Sequence, residues 1–316
     1  MKLALIGFGN VGRSFARLLE AKRGSYPFRI TAIHTARHGT AYSDKRLTPD
    51  VEFGPPAASV EEFLDRARPE VVLELTTLRP DSGEPAISHI RAAFQRQMHV
   101  VTANKGPIAV AWSTLAAEAR LAGVEFRFES TCMDGAPVFN MVRNTLPGVR
   151  ILGFTGVLNS TTKVVIEAMR RGLTMEQGIA EAQQMGIAEA DASYDIDGWD
   201  SAAKTAALAN VLMDARITPA DVSRTGIRAL TPEYLKSLAQ RHRTVCLVSR
   251  AFDGQYLVQP EELPDTDMLA SLEGTSNLLL LHTDLMGTVG TVSISPGVEQ
   301  TAYGVFSDVV DIARSL

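Results

Sequence analysis

The stretch Leu3-Ala4-Leu5-Ile6-Gly7-Phe8-Gly9-Asn10-Val11-Gly12-Arg13-Ser14-Phe15-Ala16-Arg17-Leu18-Leu19 decides the reading of the N-terminal half. Leu3 to Ile6 is a short apolar run with the profile of a buried strand, and Ser14 to Leu19 reads as a helix. Between them Gly7, Gly9 and Gly12 stand in G-x-G-x-x-G spacing. Strand, glycine pattern and helix in immediate succession make the dinucleotide-binding fingerprint; the bare glycines would fit a turn without a ligand. Gly7 allows the tight turn, Gly9 lets the backbone approach a pyrophosphate, and Gly12 lets helix pack on strand. The helix N-terminus then offers amide N–H groups and a positive dipole end to phosphates.

Working outward, Arg29 to His34 reads as the second strand. In an NAD site an acid usually follows such a strand and bonds the ribose 2′-hydroxyl. Here His34-Thr35-Ala36-Arg37-His38 follows without an acid, and Lys45-Arg46 lie a little further on. Arg37 therefore points to a 2′-phosphate and to NADP, with NAD the alternative; its rival reading is a solvent-facing loop arginine. Ser59 to Arg66 reads as a helix opened by a capping box of Ser59 and Glu62. Val71 to Leu75 is a strand ending at Thr76-Thr77, Glu84 to Gln97 a helix, and His99 to Thr102 a strand. The chain leaves that strand through Ala103-Asn104-Lys105-Gly106-Pro107, and Trp112 to Leu121 and Glu125 to Glu129 read as helix and strand. Such alternation predicts a doubly wound, Rossmann-type parallel sheet, with Thr76 and Lys105 at the carboxyl ends where ligands bind.

The character changes near Asp134-Gly135-Ala136-Pro137. Strand patterns at Val149 to Leu158, Tyr256 to Gln259, Asn277 to Thr283 and Thr288 to Ile294 have few helices between the later members. They predict a mostly antiparallel sheet in an α+β second domain. Ser160 or a neighbouring hydroxyl is expected to cap a helix running to Met169, and Thr174 to Met185 and Asp200 to Met213 are further helices. The expected division is residues 1–135 and 136–301, with the helix of residues 302–316 returning to the first domain.

The most unusual stretch lies between Glu189 and Lys204. Five acids, Glu189, Asp191, Asp195, Asp197 and Asp200, precede a lysine. Carboxylates so crowded repel unless a cation or polar ligand sits among them; a solvated acidic loop is the plain alternative. A calcium loop is excluded, because the register that puts Asp195, Asp197 and Gly198 at positions 3, 5 and 6 puts Lys204 where a bidentate Glu is needed. Asp197-Gly198 instead reads as the start of a helix, with Asp200 and Lys204 at i and i+4 on one face. Such a pair is often a surface ion pair, but beside a dry cleft the lysine can exchange a proton with a substrate hydroxyl.

With 316 residues, 45% hydrophobic and 21% charged, the chain has the composition of a soluble two-domain protein. A net charge of -5 without a basic block speaks against nucleic acid. Cys132 and Cys246 form no zinc or disulfide framework, which suits the cytoplasm, and the N-terminal apolar run is too short for a signal or a membrane span.

Together these motifs resemble homoserine dehydrogenase, over nearly the whole chain. The resemblance rests on Gly7 to Gly12, Val71 to Thr76, His99 to Pro107, Gly156 to Thr162, and Gly186-Ile187-Ala188. It is most specific at Asp195-Ile196-Asp197-Gly198-Trp199-Asp200 to Lys204, which fits D-[LIV]-x-G-x-D-x-x-x-K. It implies a short form without a fused aspartokinase or regulatory ACT domain, acting between L-homoserine and L-aspartate 4-semialdehyde on the route to threonine, methionine and isoleucine. It also implies a homodimer. Gly7, Phe8, Gly9, Asn10, Val11 and Gly12 would line the cofactor, with Thr76, Lys105 and Gly297 along it. Glu189, Asp195, Asp200 and Lys204 would hold the substrate. A monovalent cation such as sodium would sit at Glu129, Cys132, Asp134 and Ala136, largely on backbone carbonyls. The chain departs from the family pattern at Met133-Asp134-Gly135, at Ala192 and at Ser295-Pro296-Gly297.

Lys204 and Asp200 are the expected catalytic pair, with Lys105 across the cleft as the second candidate. Three rivals remain: a phosphorylating semialdehyde dehydrogenase, which needs a cysteine nucleophile and a histidine base; a related two-domain oxidoreductase with another small substrate; and a non-catalytic NAD(P)-binding sensor, which has no use for the Asp200–Lys204 spacing.

Overall fold

β1 (Lys2–Ile6) is buried from Leu3 to Ile6, as a strand covered on both faces must be. It lies at the middle of the first sheet in the computed structural model, which describes residues 1–77 and 82–316. α1 (Asn10–Lys22), β2 (Arg29–Thr35), β3 (Gly39–Tyr42), α2 (Val60–Ala67), β4 (Val71–Glu74), α3 (Ala86–Phe94), β5 (His99–Thr102), α4 (Lys105–Ala122) and β6 (Phe126–Arg127) follow. The strand order is β3-β2-β1-β4-β5-β6, and β1, β2, β4, β5 and β6 run parallel. The order reverses at β1 and β4, which opens the crevice where such sheets bind ligands.

The sheet departs from the all-parallel expectation at β3, which pairs antiparallel with β2. Ala36-Arg37-His38 is the turn between them, held by the Thr35 hydroxyl, which accepts the His38 N–H at 2.9 Å. α4 begins at Lys105, seven residues ahead of the expected start at Trp112. Pro107 is tolerated because it falls in the first turn, where no N–H is needed, and the helix kinks at Ala111. The capping box of α2 is half formed: Ser59 accepts the Glu62 N–H, but the Glu62 carboxylate takes the Ala58 N–H. β6 is shorter than Glu125 to Glu129, because Glu129 turns away and its carboxylate accepts the N–H groups of Val138, Phe139 and Asn140 at 2.6, 2.9 and 2.6 Å.

Two compact units result, Met1–Asn140 with Gly297–Leu316, and Met141–Pro296. The last helix belongs to the first unit. There Ala302, Val305, Phe306, Val309 and Ile312 join Leu3, Leu5, Phe15 and Leu19 in one core. The buried carboxylate of Asp308 accepts the Glu129 N–H at 2.7 Å, and Ser130 donates to the Thr301 carbonyl at 2.7 Å.

α5 (Phe139–Thr145) carries the chain into the second unit. That unit contains β7 (Ile151–Val157), α6 (Ser160–Arg170), α7 (Met175–Gln184), α8 (Ser193–Ile196), α9 (Trp199–Met213), β8 (Ser223–Arg224), α10 (Pro232–Ala239), β9 (Arg243–Phe252), β10 (Gln255–Pro264), β11 (Asn277–Thr283) and β12 (Thr288–Ser293). The remaining helix, α11 (Val298–Ser315), is the one in the first unit. The second sheet runs β12-β11-β7-β9-β10-β8 and is antiparallel except where β8 meets β10. β9 and α10 have no counterpart in the sequence reading. The run from Thr244 to Ser249 lacks alternation, and an apolar run of that length does not distinguish strand from helix. α9 is buried nearly all round, and Ala202, Ala203, Ala206, Ala207 and Ala209 give it the slim profile that close packing requires.

Lys163 on α6 is buried, with its ammonium donating to the Ser276 carbonyl and Glu167 one turn further on. Burial holds its pKa down at about 8, partly opposed by Glu167. Between that value and the ordinary lysine range the unfolded chain binds a proton that the folded chain does not, so stability rises with pH across the window. Thermal unfolding of the wild type and of Lys163→Met should show the wild type gaining about 2–3 kcal/mol on the variant between pH 7 and 10. A pH-independent difference would mean that Lys163 titrates normally.

Candidate active site

Gly198 starts α9 with φ +80, a conformation that glycine adopts without cost, and so sets where Asp200 falls. The preceding turn is fixed from outside. Arg224 donates to the Asp197 carbonyl and lies 3.7 Å over the Trp199 ring, while Arg228 pairs with the Asp197 carboxylate, one of its bonds being 3.0 Å. One helical turn on, Lys204 Nζ lies 3.0 Å from Asp200 Oδ2 and donates to the Leu158 carbonyl at 2.6 Å. The pair is largely buried, the two side chains being 16% and 11% exposed, which separates it from an ordinary surface ion pair.

Asn159 joins this pair to Asp195. Its Nδ2 donates to Asp195 Oδ1 at 2.6 Å and to Asp200 Oδ2 at 2.9 Å. Its Oδ1 accepts the Thr162 N–H at 2.8 Å, so Asn159, and not Ser160, is the N-cap of α6. Ser160 instead donates to the Thr275 carbonyl at 2.8 Å. Burial, and then the neighbouring Asp200 carboxylate, push the Asp195 carboxyl above its ordinary pKa, against the pull of Asn159, Lys204 and Thr161. The sequence reading gives Asn159 no role. Its signal was its position, directly ahead of a helix whose cap was sought among hydroxyls one residue later.

The other acids of the stretch behave differently. Asp191 accepts the Ser193 N–H at 2.9 Å, a local turn bond. Glu189 is exposed, and Gln183 donates to its backbone carbonyl at 3.0 Å.

In the first unit, Gly7 has φ +97, and a Cβ there would lie 2.5 Å from the Leu75 carbonyl oxygen. At Gly12 a Cβ would come within 3.2 Å of the Gly7 oxygen, while the space beside Gly9 is open. With α1 starting at Asn10 beyond Phe8, and Val11 in its first turn, this cradle fits a dinucleotide pyrophosphate. Arg37 is exposed in the turn at the carboxyl end of β2. At the carboxyl end of β4 the buried Glu74 accepts the Thr76 N–H at 3.2 Å and also the Thr76 hydroxyl. Thr102 donates to its other oxygen at 3.1 Å and accepts the Asn104 N–H at 3.0 Å. Asn104 caps α4 by accepting the Gly106 N–H at 3.0 Å, which places Lys105 as the first residue of that helix. Glu74 is a second residue without a role in the sequence reading. Gly297 is the N-cap of α11.

At the expected cation loop, the side chains of Glu129, Cys132 and Asp134 have protein partners of their own. The Glu129 carboxylate is taken by three amides, Cys132 is buried, and Asp134 accepts from Thr301 at 3.4 Å. Among the described residues no three His, Cys, Asp or Glu side chains gather as a metal group, and no helix is long and apolar enough to cross a membrane. The cysteine-nucleophile rival gains no support from either thiol. Cys132 is buried, and burial pushes the Cys246 thiol up to about 11.

The comparisons with known proteins agree with this geometry. Residues 7–129 match the family model for the homoserine dehydrogenase NAD-binding domain, and residues 137–310 match that for homoserine dehydrogenase. A homoserine dehydrogenase of Methanocaldococcus jannaschii is 33% identical over 335 residues, covering 100% of this chain and 99% of its own. An NAD(+)-dependent homoserine dehydrogenase of Pseudomonas canavaninivorans is 33% identical over 339 residues, covering 99% of this chain and 96% of its own. A solved hyperthermophilic archaeal homoserine dehydrogenase in complex with NADPH superposes with a TM-score of 0.85 at 27% identity, covering 100% of this chain and 98% of that one. With both domains matched and full-length relatives a third identical, the chain belongs to the homoserine dehydrogenase family of NAD(P)-dependent oxidoreductases.

Proposed function

We propose that the enzyme interconverts L-aspartate 4-semialdehyde and L-homoserine with Lys204 as the proton donor in the direction of reduction. The observation that carries this reading is the buried Lys204–Asp200 contact of 3.0 Å within a group that also holds Asn159 and Asp195. The bound nicotinamide supplies or accepts the hydride. Lys204 gives its proton to the developing alkoxide, and Asp200 orients the ammonium and favours its charged form. Asp195 meets the ammonium of the substrate, an added cation that offsets the cost of burying two neighbouring carboxylates. Glu189, on its exposed loop, is proposed to contact the same ammonium. Lys105, the first residue of α4, is proposed to lie along the cofactor and is the alternative proton donor.

NADP is the proposed cofactor, on the strength of Arg37 in place of an acid after β2. A monovalent cation near residues 129–136 is proposed on the backbone carbonyls of Glu129, Cys132, Asp134 and Ala136, and no step depends on it. The working form is proposed to be a cytoplasmic homodimer paired through the second sheet, where β12 is an edge strand with Val292 exposed.

Lys204→Met should lower kcat by roughly 10²–10⁴-fold and leave NADPH binding, measured by fluorescence titration, nearly intact. Near-normal turnover would move the role to Lys105. Asn159→Ala removes the α6 cap, at a cost of about 1 kcal/mol. It also removes a donor that lowers the Asp195 pKa. The acidic limb of kcat/KM should therefore move to higher pH, whereas a loss of stability with an unmoved pH profile would reduce Asn159 to a cap. Arg37→Ala should weaken NADPH roughly tenfold to a hundredfold more than NADH, as the loss of an Arg–phosphate pair of about 1.5–3 kcal/mol implies. Equal losses for the two cofactors would show that Arg37 does not read the 2′-phosphate.

A further inference from the structure

The first unit has a second concave, basic surface at the end of the sheet away from the glycine fingerprint. Lys2 and Arg29 open β1 and β2 and are direct partners in the parallel register. They lie one strand length, about 16 Å, from the fingerprint end. With Tyr42, Asp44, Arg66 and Arg68 they line a cavity of about 550 Å³, a size suited to a metabolite. Four of these side chains are cationic and one is acidic, in a chain whose net charge is -5.

The nearby acids do not neutralise this group. Asp65 is held by Arg96 at 2.7 and 2.9 Å. The Glu70 carboxylate takes the Lys2 backbone N–H at 2.6 Å and lies 4.0 Å from the terminal ammonium. Glu62 takes the Ala58 N–H at 2.8 Å. Among the described residues no ion pair involves Lys2, Arg29, Arg66 or Arg68. Arg66 is oriented by the Tyr42 ring, with its guanidinium carbon 4.0 Å from the centroid, and Arg68 is anchored by its Nε donating to the Asp65 carbonyl at 3.2 Å. Arg66 and Arg68 also complement the C-terminal dipole of α2, which accounts for those two. It does not account for Lys2 and Arg29, which stand on strands.

We propose that this cavity is a second anion site, separate from the cofactor cradle, which takes a small phosphorylated molecule carrying a diphosphate and a hydroxyl. Guanidinium groups match phosphate oxygens in a planar, two-pronged geometry, and three of them with a lysine satisfy two adjacent phosphates better than one. Asp44, the single carboxylate in the wall, accepts from the hydroxyl.

The test is calorimetric titration of inorganic pyrophosphate into the full chain saturated with NADPH, so that the cofactor cradle is already filled. One saturable site is expected. It should weaken at least tenfold in the double variant Arg29→Ser, Arg66→Ser, and hardly at all in Arg120→Ser, Arg241→Ser, which makes the same change in net charge at other exposed positions. All four side chains are exposed, so both variants should fold, and circular dichroism checks this. No saturable binding, or equal weakening in the two variants, overturns the site.

Discussion

One side-chain amide holds three helices of the second unit together. Asn159 Nδ2 bridges Asp195 and Asp200, and Asn159 Oδ1 caps α6. Through it α6, α8 and α9 are fixed to one another beside the buried Lys204–Asp200 contact. Two carboxylates this close, away from water, cannot both stay ionised without donors and a cation. The amide supplies the donors and Lys204 the cation. The surrounding backbone is shaped to permit this: a Cβ at Gly226 would lie 2.3 Å from the Ile196 carbonyl oxygen, so only a glycine lets the turn ahead of α9 close.

The first unit follows the same logic twice. Glu74 is fully buried and collects two hydroxyls and an N–H, which fixes the loops after β4 and β5. Glu129 is buried and collects three N–H groups at the start of α5. A buried carboxylate is costly unless its lone pairs are filled, so each of these acids dictates the course of several neighbouring residues. Oriented N–H and O–H dipoles fill these lone pairs, and His89 Nδ1 also lies 3.5 Å from Glu74 Oε1.

The parts that were legible in the sequence share a cause. The glycine fingerprint, the parallel strands and the Asp200–Lys204 pair are local patterns whose spacing translates directly into geometry. The antiparallel β3 was hidden because its turn, Ala36-Arg37-His38, contains neither glycine nor proline. The early start of α4 was hidden because Pro107 reads as a breaker unless its place in the first turn is known. Glu74 and Asn159 were missed for a different reason. The partners that tie them to other elements, Thr102 for Glu74 and Asp195 and Asp200 for Asn159, are 28, 36 and 41 residues away in sequence, and no local period records a contact at that range.

The five acids between Glu189 and Asp200 can now be sorted by what satisfies them. Asp197 is paired with Arg228, and Asp191 closes a turn on Ser193, so both are committed to holding the stretch in shape. Asp200 is paired with Lys204. Asp195 is buried too, but its bonds are to neutral groups, the Asn159 amide and the Thr161 hydroxyl, and its carboxyl is pushed up rather than down. A carboxylate kept dry, held in place and not paired with a cation of its own gains most when a cation arrives. In the proposed reaction a substrate ammonium would supply that cation, one hydrogen-bonded bridge away from Lys204. The crowding of charge that marks this stretch in the sequence is therefore structural at its edges, and at its centre it suits the proposed contact with a substrate ammonium.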